Sequence, residues 1–95
     1  MIIGTLRVRL LLRQARSLKD KRQVVRSIKD RLRNDFNVSV VEIESQDNRQ
    51  LAVLGLAMAG TETHDVKIAL AKIVEALRVH PVAELVDSEV DVHGG

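Results

Sequence analysis

Cysteine is absent from the chain, and with it every disulfide framework, thiol nucleophile and thiolate metal site. Tryptophan and tyrosine are absent too, and Phe36 is the lone aromatic. Single-strand recognition that stacks bases on exposed rings therefore lacks its platform. No apolar run approaches the roughly 20 residues of a membrane span. Arg7 and Arg9 interrupt the opening stretch too early for a secretory signal, and no small-residue cleavage site follows. A cytoplasmic location is the default expectation. Neither G-x-x-x-x-G-K-S/T nor G-x-G-x-x-G occurs, so neither common phosphate-cradling loop is present. None of Ser17, Ser27, Ser39, Ser45 or Ser88 lies in a nucleophile elbow. His64, His80 and His93 share no ligand spacing, so no metal site is expected. Glu42 and Glu44 read as sharing one strand face, and Asp87, Glu89 and Asp91 as sharing another. Neither set has a base or an apolar pocket to tune it for acid–base work. The expectation is a protein that is not an enzyme, with no cofactor and no small-molecule substrate.

What is present is a 95-residue chain, 45% hydrophobic and 29% charged. That length and balance fit one globular domain spanning residues 1–95. The net charge is only +2, but it is unevenly spread. Residues 1–36 carry 11 Lys and Arg against Asp20, Asp30 and Asp35, whereas residues 37–95 carry four against ten acids. The halves differ in sign, at +8 and −6, which points to a basic surface that meets something acidic or to neutralisation within the fold.

Ile2 to Arg13 alternates with period two, as a strand does when one face meets a core. Ile2, Leu6, Val8, Leu10 and Leu12 lie on one side, with Arg7, Arg9 and Arg13 on the other. Ser17 fits a helix N-cap with Asp20 three residues on, a capping box with Asp in place of Glu. From there to Phe36 the spacing is helical: Leu18, Val24, Val25, Ile28 and Leu32 make an apolar stripe. Lys19, Arg22, Arg26, Lys29 and Arg33, spaced three and four apart, make a basic stripe opposite it. Lys21 and Arg31 fall at the margins of the apolar stripe, placed either to widen the basic surface or to snorkel over the core edge.

Val38 to Gln46 reads as a second strand whose alternation slips at Val40-Val41, a bulge or an edge. Asp47-Asn48 is turn chemistry. Gln50 to Ala59 is an interior strand with Ala52, Leu54, Leu56 and Met58 toward the core. Thr61 or Thr63 is expected to cap a second helix, lined by Val66, Ala69, Leu70, Ile73 and Leu77 and ended by Pro81. Val82 to His93 forms the last strand, with Leu85, Asp87, Glu89 and Asp91 on one side, before a short tail at His93-Gly94-Gly95. The order βαββαβ predicts an α+β, ferredoxin-like fold: a four-stranded antiparallel sheet, order 4-1-3-2, with two helices on one face. In that topology the strand arginines Arg7 and Arg9 pair across the sheet with Asp87, Glu89 and Asp91.

The blocks IIGTLRVRLLL, ARSLKDKRQVVRSIKDRL, FNVSVVEI, LGLAMAG and AELVDSEV resemble the YlxP-like family of small bacterial proteins of unknown function. The likeness covers nearly the whole chain. It implies a ferredoxin-like fold and genes neighbouring those for transcription and translation factors, including a ribosome-binding factor. At the hairpin this chain has Asn48-Arg49, where relatives often place a hydrophobic residue and Trp.

Two functional expectations follow. The stripe Lys19, Arg22, Arg26, Lys29 and Arg33 is the candidate nucleic-acid surface, suited by its lack of neighbouring rings to backbone and shape recognition of structured RNA or ribosomal particles. The alternative is a homodimerisation or protein-interaction module using the open sheet face, with Ile3, Leu11, Leu51, Val53, Ala57 and Leu85 as its apolar residues. A membrane partner is disfavoured, because the apolar side of the first helix is needed for the core.

Overall fold

The six expected elements form, with ends that move by one or two residues. A computed structural model describes residues 1–94, with β1 (Ile2–Leu11), α1 (Leu18–Asp35), β2 (Ser39–Glu44), β3 (Leu51–Gly60), α2 (Thr63–Arg78) and β4 (Glu84–Gly94). All three strand pairings are antiparallel and the sheet order is β2-β3-β1-β4, so the fold is ferredoxin-like. Of the expected tail, His93 and Gly94 belong to β4 opposite Ile3 and Ile2, and Gly95 lies outside the described residues.

One core joins the sheet to both helices. Leu6, Val8 and Leu10 of β1 and Leu54 and Leu56 of β3 meet Val25, Ile28 and Leu32 of α1 and Val66, Leu70 and Ile73 of α2. Phe36 is half-buried against the same cluster. The second helix sits close to the strands because two glycines make room for Val66. A methyl group at Gly4 would come within 2.5 Å of one Val66 methyl, and at Gly60 within 2.6 Å of the other.

The helix starts differ. Ser17 Oγ accepts from the Asp20 N–H at 3.1 Å, and Asp20 Oδ2 accepts in turn from the Arg16 N–H at 3.1 Å. The Ser17 cap expected of α1 is therefore present, while the return bond of Asp20 goes to the residue before the N-cap rather than to Ser17 itself. The cap expected of α2 is corrected: neither Thr61 nor Thr63 serves. Glu62 is the N-cap without a side-chain bond, Thr63 is already helical, and Asp65 supplies the acid of the first turn.

Two one-residue irregularities reset which side chains face where. In β2 the register passes from Glu42 opposite Leu54 to Glu44 opposite Val53, leaving Ile43 as the extra residue. Glu42 keeps the helix side that it shares with Val40, and the extra residue turns Glu44 to the outer side, so these two do not share a face as alternation predicts. In β4 the register passes from Leu10 opposite Leu85 to Arg9 opposite Asp87, with Val86 between. Leu85 consequently packs on the core rather than standing with Asp87, Glu89 and Asp91. Both irregularities fall on edge strands, where one strand has no partner to enforce its register.

On the helix side Glu42 has a partner. Lys21, expected at the margin of the helix, is 1% exposed and lies on the same helix arc as Val25, Ile28 and Leu32. Its Nζ is 2.8 Å from Glu42 Oε2, and it donates to the carbonyls of Ser45 at 2.6 Å and Gln46 at 3.5 Å. The carboxylate contact is one of charge: Oε2 is buried without a hydrogen bond of adequate angle, so the carbonyls take the directed bonds. Ser45 supports this with a left-handed backbone, φ 62°, at the strand end. Removing one member of a buried pair strands the other charge, at a cost of about 3–5 kcal/mol. Lys21→Met is expected to destabilise by about that amount in urea unfolding, and adding Glu42→Leu is expected to recover most of it. Equal stability of Lys21→Met and the wild type would contradict the pairing.

His80 closes the other end of the helix layer. Its Nδ1 accepts from the N–H groups of Val82 at 3.2 Å and Ala83 at 3.0 Å, which requires that nitrogen unprotonated. Burial, and then the charge of Arg31 on α1, hold its pKa below the usual value. The unfolded chain thus binds the proton more readily. This stabilisation is complete above the unfolded value of about 6.5 and is lost as pH falls through the lower folded one. The stability difference between wild type and His80→Ala is expected to shrink between pH 7.5 and 5, as followed by urea unfolding. A constant difference would contradict the assignment.

Candidate nucleic-acid interface

The five cations of the stripe occupy one arc of α1, but not the arc opposite the core. At about 100° per residue they span roughly 80°, centred about 110° from the arc of Lys21, Val25, Ile28 and Leu32. The side facing directly away from the sheet belongs instead to Gln23, Ser27, Asp30 and Asn34. The stripe therefore runs along a flank of α1, and Arg33 identifies which one: its guanidinium donates to the carbonyl of Val40 in edge strand β2 at 2.8 Å. Arg31, near His80, lies on the other flank.

This geometry divides the stripe. Arg33 is engaged twice, by Val40 and by Asp30 at 3.8 Å, and helps bind helix to sheet. Lys19, Arg22 and Arg26 are exposed and Lys29 is half-buried. None of these four has a carboxylate within 4.0 Å among the described residues. Of the stripe, Arg26 borders an open hollow lined by polar side chains, with Gln23, Ser27, Asp30, Arg31, Asn34 and Asp35. Such a surface can hold a polyanion by charge and has no enclosed space in which to orient a small molecule.

The other basic residues of the first half are mostly matched. Arg9 meets Asp87 at 3.1 Å and Arg13 meets Glu84 at 3.0 Å, both across the β1–β4 pair. Arg7, expected to join that ladder, reaches the other way to Glu44 of β2 at 2.6 Å, because the β2 bulge brings Glu44 to the outer face. Glu44, by hydrogen bond and charge, and more weakly Glu89 and Asp87 raise the Arg7 pKa further above its ordinary value, against a small opposing effect of desolvation.

The Arg7–Glu44 bridge crosses β3 between Gly55 and Val53, and this changes the outer sheet face. Val53, expected there as an exposed apolar residue, is 1% exposed, set in register between Arg9 and Glu44. Ile3, Leu11 and Leu51 are half-buried, Ala57 is exposed, and Leu85 has turned to the core. The exposed apolar surface that remains was not anticipated: Val41 and Ile43 of β2 flank a hollow floored by Gly55, rimmed by Thr5, Arg7, Glu89 and Asp91. Ile43 stands beside Val41 over Gly55, next to the irregularity that turns Glu44 to the outer face.

A family model described as a protein of unknown function (DUF503) matches residues 3–90, which include every residue of the stripe. The chain belongs to that family. It is also 31% identical over 83 residues to the uncharacterized protein YlxP of Bacillus subtilis (strain 168), covering 87% of this chain and 90% of the relative. Among the described residues no group of three or more His, Asp or Glu side chains could hold a metal ion, and no helix is long and apolar enough to cross a membrane.

The reassignment of Val53 has a direct check. Val53→Asp places a charge in a closed site and is expected to cost several kcal/mol, whereas Ile43→Asp, at a position 43% exposed, is expected to change the unfolding midpoint little. The opposite ranking in thermal unfolding would overturn this view of the outer face.

Proposed function

We propose that this protein is a non-catalytic binding protein, acting in the cytoplasm, that takes the phosphate backbone of folded RNA along the β2-side flank of α1. The observation that carries this reading is the unmatched set Lys19, Arg22, Arg26 and Lys29, in a chain where Arg7, Arg9, Arg13, Lys21 and Arg33 are each engaged. A rigid helix with four free cations over roughly 15 Å suits a line of phosphates. The lack of exposed rings argues against splayed single-stranded bases, and the translation-linked gene neighbourhood implied by the YlxP-like resemblance favours RNA among polyanions. Changing Arg22, Arg26 and Lys29 together to Glu is expected to reduce co-sedimentation with ribosomal particles at low salt by more than tenfold. Unchanged co-sedimentation would overturn the reading.

A second reading, self-association through the outer sheet face, is favoured by one observation. Val41 and Ile43 stand 55% and 43% exposed beside the Gly55 hollow, on a face that carries both Arg9 and Arg13 and their acidic partners. A two-fold contact would set such a mixed-charge face against its own copy. Light scattering should then give a dimer that Ile43→Asp dissociates; a monomer at high concentration would contradict it.

A further inference from the structure

Arg16 and Arg49 lie far apart in the chain, yet they line the same two depressions at the end of the molecule where α1 begins and the β2–β3 hairpin turns. Both are exposed, and neither has a carboxylate within 4.0 Å among the described residues. Most acids at this end are already used. Asp20 accepts from the Arg16 backbone, Glu42 holds Lys21, and Glu84 holds Arg13. Asp47 is the one carboxylate lining the depressions. Leu18, which lines one of them, is followed in the chain by Lys19, the first cation of the α1 stripe.

The hairpin that carries Arg49 is fixed in place. Lys21 Nζ donates to the Ser45 and Gln46 carbonyls on one side. On the other, the Leu12 N–H donates to the Gln50 carbonyl at 2.7 Å, and the Gln50 side chain donates to the Arg13 carbonyl at 3.2 Å. Within the turn, the Asn48 N–H donates to the Ser45 carbonyl at 3.0 Å and Asn48 Oδ1 accepts from the Gln50 N–H at 2.9 Å. Arg49 is thus presented from a loop tied to both the β1–α1 connection and the first turn of α1.

We infer that Arg16 and Arg49 form a second phosphate contact, set at a fixed distance from the α1 flank, and that the two together fit the backbone of a double-stranded nucleic acid. This rests on the proposed function above and extends it to a second element and a class of partner. A contact held on two rigid elements favours a partner of equally fixed shape, because a flexible strand must be ordered to meet both. A single strand would recover that loss by stacking on rings, and this surface offers none. A duplex presents two phosphate strands at a set separation, readable by shape alone.

The test is fluorescence anisotropy at low salt with a labelled RNA stem of about 20 base pairs, the DNA duplex of the same sequence, and the single RNA strand. The wild type is expected to bind the stem at least tenfold more tightly than the single strand. Arg16→Gln with Arg49→Gln is expected to weaken stem binding by about tenfold, with circular dichroism and thermal midpoint unchanged because both side chains are exposed. Equal weakening on RNA and DNA duplexes assigns the contact to phosphate alone; weakening on the RNA stem only assigns it to the A-form helix. Both results support the second contact. If the double variant binds like the wild type while the α1 reversal loses binding, the second contact is overturned and the proposed function stands. Single-strand binding as tight as stem binding overturns the duplex assignment. No wild-type binding to any of the three overturns both.

Discussion

The buried pair of Lys21 and Glu42 is the constraint on which the arrangement of this molecule depends. A lysine at a core position of an amphipathic helix is costly unless its charge and its protons are met. Glu42 meets the charge, and the Ser45 and Gln46 carbonyls take the directed bonds. The same contact fixes the rotation of α1, its lateral position over β2, and the attachment of the hairpin. A helix turned by even one position would bury Arg22 or expose Val25. The basic flank is therefore where it is because Lys21 faces inward.

The β2 bulge does comparable work from the sheet. Glu42 keeps the helix side of Val40 and meets Lys21, and the one extra residue after it turns Glu44 across to Arg7 on the outer side. Together with Arg9–Asp87 and Arg13–Glu84, these contacts absorb much of the charge imbalance between the two halves of the chain. Exposed pairs of this kind add little stability, typically 0–1 kcal/mol each. Their larger consequence is distributional: they engage the cations of the sheet face and leave Lys19, Arg22, Arg26 and Lys29 unmatched along one flank of α1. A modest overall charge can thus coexist with a concentrated basic surface.

The fold was legible because its signals are periodic. Alternation in β1 and β3, helical spacing in α1 and α2, and the Ser17–Asp20 cap all agree with one another and with the topology. What escaped the sequence reading were departures from period. Strict alternation puts Glu42 with Glu44 and Leu85 with Asp87, and a bulge at Ile43 or Val86 reverses each pairing without a glycine or proline to mark it. Lys21 was readable in principle: with Val25, Ile28 and Leu32 it completes a core arc at spacings of four, three and four. Its place in the charged run Lys19–Arg22 hid that. Arg49 was unreadable as a site residue, since only the tertiary placement of the hairpin brings it beside Arg16. The basic stripe itself was evident, but the engagement of Arg33 by Val40 and Asp30 is a tertiary fact.

The most direct test of the central claim is the salt dependence of binding between the wild-type protein and a short RNA stem. The four free cations on α1 should release counterions on binding and give a slope of log K against log salt of roughly −3 to −4, steepening to about −5 with Arg16 and Arg49 engaged. A slope near zero, or no measurable affinity at the lowest salt, would contradict the claim that this flank exists to hold a nucleic-acid backbone.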